Sequence, residues 1–257
     1  MPETETHNLR QIEALNQRGG RTLSIVDLIL ADTITAEAAA YVGEAIGRGA
    51  SFLTAANPGG AGKTALLAAL LAFLPEGVPI VTVDGPDVLE RPDPDGAACC
   101  CLAHEIGAGR WYGYLWGEVV ARYLRLARGA HSIASCLHAD TREELHAALL
   151  SPPLAVSRDD LLAVDFLLFM HVDAVRGQLR RRVAAIYQTD PPAGEHRLIF
   201  RWGRSADALR AAGSLRPRPE AAGLARFLDA SARAGLRDFS AFRRAYLAFR
   251  EDRGPGR

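Results

Sequence analysis

Lysine is all but missing from this chain. Of the 30 basic residues in 257, Lys63 alone is not arginine. An arginine bias of this size carries no information about fold, but it makes the single lysine position informative. Long apolar runs are missing too. None reaches the roughly 18 to 20 residues of a membrane-spanning helix, and the longest candidate, Leu161 to Met170, is interrupted by Asp165. The first ten residues carry Glu3 and Glu5 and no apolar stretch, so no signal peptide is expected. Cysteine is scarce, at four residues, with Cys99, Cys100 and Cys101 consecutive and Cys136 apart. Adjacent cysteines lack metal-ligand spacing and do not form a secreted disulfide framework, so the run reads as apolar filler in a reducing, cytoplasmic setting. With a net charge of zero there is no overall basic excess of the kind nucleic-acid binding needs.

What is present is an ordinary soluble composition, 49% apolar and 23% charged, long enough to bury its own core. The charge is unevenly placed. Residues 197–257 hold 14 arginines against 6 acidic residues, and the rest of the chain holds 16 basic residues against 24 acidic ones. A basic tail and an acidic body can attract head to tail between copies, in a salt-sensitive way.

Residues 1–22 are polar and read as loosely ordered. Thr35 can cap a helix that Gly47 and Gly49 end. Ser51 to Ala56 and Pro79 to Val83 read as buried strands, and Lys63 to Leu74 as a helix apolar on every face, stopped by Pro75. Asp84 to Gly96, rich in proline and aspartate, reads as loop. Trp111–Trp116 and Ser132–Leu137 are strand candidates around a helical stretch, Val119–Arg128. An amphipathic helix, Asp140–Leu150, comes next, then the apolar Leu161–Val172 and a strand at Arg181–Tyr187. A proline-rich stretch, Arg216–Pro219, leads into a final helical segment, Glu220–Arg250. Alternating strand and helix signals argue a mainly parallel α/β sheet. The expected division is an N-terminal segment and linker helix at 1–50, a core at 51–205 and a basic helical module at 206–257.

Between a strand and a helix stand Asn57, Pro58, Gly59, Gly60, Ala61, Gly62, Lys63 and Thr64. This is a phosphate-binding loop in nearly its usual spelling. Small residues let backbone N–H groups approach phosphate oxygens, and the helix N-terminus adds partial positive charge. Lys63 would reach the terminal phosphates of ATP, and the Thr64 hydroxyl would help hold Mg²⁺. Asn57 replaces the first glycine of the pattern and tolerates a left-handed turn better than other side chains do.

Gly129 to Leu149 (GAHSIASCLHADTREELHAAL) resembles the histidine box of the secretion-superfamily ATPases, the hexameric motors of type II and type IV secretion and pilus assembly. Ala130 stands at the usual His of the Gly-His pair, His138 keeps its spacing and Asp140 replaces an Asn. Leu23–Arg48 resembles the family's interdomain segment, Val81–Asp87 its acidic box, and Val164–Ile186 the strands after the histidine box. The resemblance covers about residues 20–205 and is closest to the type IV and tight-adherence branch. Most of the family's N-terminal domain has no counterpart here.

The resemblance implies a P-loop, RecA-like α/β core that binds ATP and Mg²⁺, assembles as a homo-oligomeric ring and works against a membrane-embedded secretion or pilus component. It places the chain in the cytoplasm, peripheral to the inner membrane through that partner. It makes His138 a γ-phosphate sensor, Asp84 a water- or magnesium-positioning acid, and Glu118, after Tyr114-Leu115-Trp116, the Walker B glutamate. An alignment without gaps moves Glu118 into a helix instead and leaves the family's glutamate without a counterpart. Asp84 reads equally as a turn residue and Asp87 is a weaker candidate. Trp111, Tyr112, Tyr114 and Trp116 form either core or an adenine platform. Arg180–Arg182 is an arginine finger or a solvated strand start. His104 and His131 read as structural. Two competing functions remain, a catalytically reduced ATP-binding scaffold and a small-molecule kinase, the latter without a lid segment.

Overall fold

Short polar side chains start the helices. Ser24 and Asp27 form a reciprocal capping box, and Thr35, Thr141, Ser157 and Asp238 each accept a backbone N–H two or three residues into a helix. The computed structural model describes residues 3–16, 19–90, 97–213, 215 and 219–253. Helices α1 (Glu3–Ala14), α2 (Ile25–Leu30) and α3 (Ala36–Ile46) precede β1 (Phe52–Ala55) and α4 (Lys63–Leu71). Next come β2 (Ile80–Thr82), α5 (Pro86–Glu90), β3 (Cys100–Leu102), β4 (Glu105–Ile106), β5 (Tyr114–Leu115), α6 (Val119–Arg125) and β6 (Ser132–Leu137). The chain continues through α7 (Arg142–Leu150), α8 (Arg158–Leu162), β7 (Phe166–Val175), β8 (Gln178–Asp190), β9 (Glu195–Gly203) and β10 (Ala208–Ala211) to α9 (Pro219–Arg233) and α10 (Phe239–Glu251). No helix among the described residues is long and apolar enough to cross a membrane.

One sheet runs β10-β9-β8-β7-β1-β6-β3-β2, with β4 beside β6 and β5 beside β4. The five strands β7, β1, β6, β3 and β2 are parallel. Successive side chains point to opposite faces. Phe52 of β1 therefore joins the apolar layer that holds α4, α9 and α10, while Leu53 and Ala55 join the layer under α6 and α7. Helix α4 packs on β1 and β6 with one side and meets α1, α2 and α3 with the others. That burial all round is why its sequence has no polar face.

The sheet is mainly parallel, as expected, from β7 to the β2 edge, and β8, β9 and β10 extend it antiparallel at the other edge. Strands β7 and β8 are joined by Arg176-Gly177, with φ of 49° and 79°. A two-residue turn joins only antiparallel neighbours, since a parallel pair needs a long crossover. The N-terminal segment is a helix rather than loose chain. Asn8 ties it to the edge of β2, donating to the Val78 carbonyl at 2.9 Å and accepting the Ile80 N–H at 2.7 Å. The strand expected over 111–116 shrinks to β5, and Trp111, Tyr112 and Trp116 are 68%, 54% and 48% exposed rather than core. The loop expected over 84–96 begins with α5, and its residues 91–96 lie outside the described residues, as do residues 216–218 of the proline-rich stretch.

The C-terminal helices share the core of α4. Phe242 and Tyr246 stand edge-on to Phe73, at ring separations of 6.0 and 5.1 Å. The charge split is used within the chain. Arg237 pairs with Asp27 at 2.7 Å, Arg243 with Glu5 at 2.7 Å and Arg250 with Glu44 at 2.9 Å.

Candidate functional site

The loop from Asn57 to Gly62 leaves β1 and enters α4. Gly60 and Gly62 hold φ of 80° and 101°, a region that L side chains rarely adopt. Nothing lies within 4 Å of where a Cβ on Gly59 or Gly60 would stand, so the loop faces open space. No side chain caps α4, and its first N–H groups have no partner within the helix, which leaves an anion-binding end. Asn57 does not supply the expected left-handed turn, since it is absent from the positive-φ residues. It instead fastens the loop to the segment that follows β6. Its backbone N–H donates to Asp140 at 2.7 Å, and its amide donates to Asp140 at 3.2 Å and to Glu144 at 2.9 Å. Asp140 thus answers Asn57 across the loop.

Lys63 is 7% exposed, and its ammonium donates to the Ala56 carbonyl at 2.8 Å and sits 3.5 Å from His138 Nδ1. His138 follows β6, whose six residues are all buried, and it reaches across to the loop. Its Nδ1 is 2.8 Å from the Asn57 carbonyl and its Nε2 is 3.1 Å from Glu105 Oε1. Both ring nitrogens therefore face acceptor oxygens. The Tyr114 hydroxyl donates to Glu105 Oε2 at 3.3 Å. Burial pushes the Cys136 thiol, beneath Thr64, up to about 12 and keeps it neutral. Burial also lowers His104, which lines the same space.

Lys63, Thr64, Glu105 and His138 open on one cavity of about 720 Å³, with Gly59–Ala65 as its floor and Trp111 and Arg21 on its walls. That volume suits a nucleotide-sized ligand. Among the described residues Glu105 is the one carboxylate lining it. Glu118 and Asp84, the acids singled out from the sequence, do not line it. Glu118 is exposed at the start of α6, after the turn that follows β5. Asp84 is exposed past the end of β2, which is three strand spacings from β1, about 14 Å at ~4.8 Å per spacing. Glu105 was missed, although Cys99 to Ala103 is an apolar run ended by His104-Glu105, the signature of a buried strand closed by an acid. The cysteines, read only as filler, hid it.

The Arg180–Arg182 run splits by strand alternation. Arg181 donates to the Gly60 carbonyl at 2.8 Å, so it touches the loop of its own chain. Arg180 and Arg182 turn to Asp173 and Asp207 in bonds of 2.7 to 2.9 Å. Arg182 holds the Asp207 carboxyl well below the usual range. Among the described residues no group of three or more His, Cys, Asp or Glu side chains could hold a metal ion.

No family model and no curated protein matches the chain. Among solved structures it is similar to the crystal structure of the VirB11 ATPase from the Brucella suis type IV secretion system in complex with sulphate, at 17% identity and a TM-score of 0.44. The match covers 76% of this chain and 59% of that one, so the chain spans well under two thirds of that protein's length. Identity and similarity this low assign neither family nor function.

Proposed function

We propose that the chain is an ATP-binding and ATP-hydrolysing subunit of a secretion or pilus-assembly motor. The observation that carries this reading is the convergence of Lys63, His138 and Glu105 on the cavity above an open glycine loop. The residues fit Mg-ATP. Open space over Gly59 and Gly60 suits phosphate oxygens, the uncapped start of α4 suits their charge, and the Thr64 hydroxyl suits the metal. When bound, Mg-ATP would supply the phosphoryl group and the divalent charge.

The side chains then have separate tasks. Lys63 exchanges its bond to the Ala56 carbonyl for one to a terminal phosphate. His138 keeps its Nε2 bond to Glu105 and exchanges its Nδ1 bond to the Asn57 carbonyl for one toward the same group. Glu105 accepts a proton from an attacking water and is kept in place by Tyr114 and His138. In this reading copies of the chain assemble in a ring and act on a membrane-embedded partner from the cytoplasmic side. Lys63→Ala removes a charge-assisted contact of about 1.5–3 kcal/mol, which is about ten- to hundredfold in affinity. Titration with a fluorescent ATP analogue tests it, and equal affinity in variant and wild type would refute the phosphate site. A wild type that binds ATP but shows no phosphate release, with or without membranes, would favour the scaffold reading.

A further inference from the structure

Cys99 stands just before β3, and Cys101, two residues on, points to the same face of the sheet. Their sulfurs are 3.6 Å apart. On the other side of Cys99 lies His131, just before β6, with Nδ1 3.2 Å from the Cys99 sulfur. The same Nδ1 accepts the Cys99 backbone N–H at 3.3 Å. That backbone donor makes Nδ1 the nitrogen bearing the lone pair, so the Cys99 thiol faces a base within proton-transfer reach. The Cys101 thiol is held above the ordinary range by its bond to Cys99 and by burial, so it keeps its proton. Cys99 is partly exposed, whereas Cys100, Cys101 and Cys136 are buried. Cys99 and His131 also line a cavity of about 300 Å³ between the starts of β1 and β6, beside Ser51, Gly129 and Asp165. A nucleophile, its base, a second thiol and an access space thus occupy one spot, away from the nucleotide cavity.

We propose that Cys99 is a peroxide-reactive thiol that closes a disulfide with Cys101, with His131 as its base. His131 takes the Cys99 proton, and the thiolate attacks one oxygen of hydrogen peroxide. The S–O bond forms as the O–O bond breaks, and the departing hydroxide takes the proton back from His131 and leaves as water. The Cys101 sulfur then attacks the Cys99 sulfur. The S–S bond forms, the S–O bond breaks, and the hydroxyl leaves as water with the Cys101 proton. Two thiols are oxidised, and one peroxide is reduced to two waters. The sulfurs must approach by about 1.5 Å to reach the ~2.05 Å of a disulfide.

The test treats the reduced full chain with hydrogen peroxide, alkylates what remains and maps the tryptic peptide 64–110, since trypsin does not cut between Arg91 and Pro92. In both wild type and Cys100→Ala this peptide should lose two hydrogens and recover with dithiothreitol, taking one alkyl group, on Cys100, in wild type and none in Cys100→Ala. Cys101→Ala should stop at a sulfenic acid on Cys99 that dimedone traps. His131→Gln should slow alkylation of Cys99 by about tenfold or more, as loss of a positioned base does. The proposal fails if wild-type Cys99 remains a thiol at peroxide levels that oxidise glutathione. It also fails if Cys99 passes to sulfinic acid while Cys101 stays reduced. Both of those readings come from the wild type and need no variant to fold.

Discussion

Glu105 owes its candidate role to three neighbours rather than to any motif. β4 takes up the line of β3 along β6, pairing Ile106 with Leu137, and so brings Glu105 beside His138 at the close of β6. Glu118 follows a different turn and faces solvent. Under the proposed function, Glu105→Gln keeps the shape of the side chain and removes its ability to accept a proton. ATP binding should persist and turnover should fall by at least about 100-fold, while Glu118→Gln leaves turnover within about twofold. Phosphate-release rates of the two variants decide the assignment, and the reverse pattern would return the role to Glu118.

At the scale of elements, α4 is fixed at both ends by other parts of the chain. Its start is the open glycine loop. Its end is capped by Arg243 of α10, whose guanidinium donates to the carbonyls of Ala72, at 3.0 Å, and of Leu74. The same guanidinium forks onto Glu5 of α1 at 2.7 and 3.0 Å, and both residues are 5% exposed or less. A cation suits a helix C-terminus. Arg243→Met should cost about 3–5 kcal/mol in urea unfolding, because Glu5 is then buried without its partner. Adding Glu5→Gln should return part of that loss, and a cost below ~1 kcal/mol would contradict the cap. The start of α2 carries a pH-dependent contact. Burial alone would raise Asp27, but Arg21 and Arg237 outweigh it and hold the carboxyl at about 2, against an ordinary 3.8. A carboxylate depressed in the folded state stabilises fully above its unfolded value and loses that effect as pH falls through its folded one. Asp27→Asn should therefore unfold at lower urea than wild type at pH 7, and the gap should close between about pH 4 and pH 2. A gap that stays constant over that range would show that the pair contributes nothing.

For the molecule as a whole, the opposite charges of body and tail meet inside the chain. Arg237, Arg243 and Arg250 neutralise Asp27, Glu5 and Glu44, each of these acids 4% exposed or less. Part of the attraction that the sequence offers for contacts between copies closes one copy instead. The helices from 219 onward also supply Leu224, Leu228, Phe242 and Tyr246 to the layer that buries α4. Removing residues 219–257 should thus do more than loosen any assembly. The shortened chain should lose its near-ultraviolet circular dichroism and its ATP binding together. A truncated chain that binds nucleotide like the full one would show that the tail is a separate module.

Local pattern alone determined the glycine loop before α4, the Thr35-capped helix, the all-buried strand Ser132–Leu137 and the apolar helix after Lys63, because each is written in adjacent residues as glycine spacing, capping side chains or periodicity. The same pattern placed His138 at the end of a central strand. Strand order was decided by tertiary structure, and strand order selects which acid faces Lys63. Glu105, Glu118 and Asp84 are equivalent as ends of short apolar runs, and only the pairing of β4 with β6 separates them. The contact of Asn57 with Asp140 spans 83 residues, that of Arg243 with Glu5 spans 238, and Arg181 reaches Gly60 across 121. Contacts between residues so far apart depend on how whole layers pack, and no local spacing encodes them.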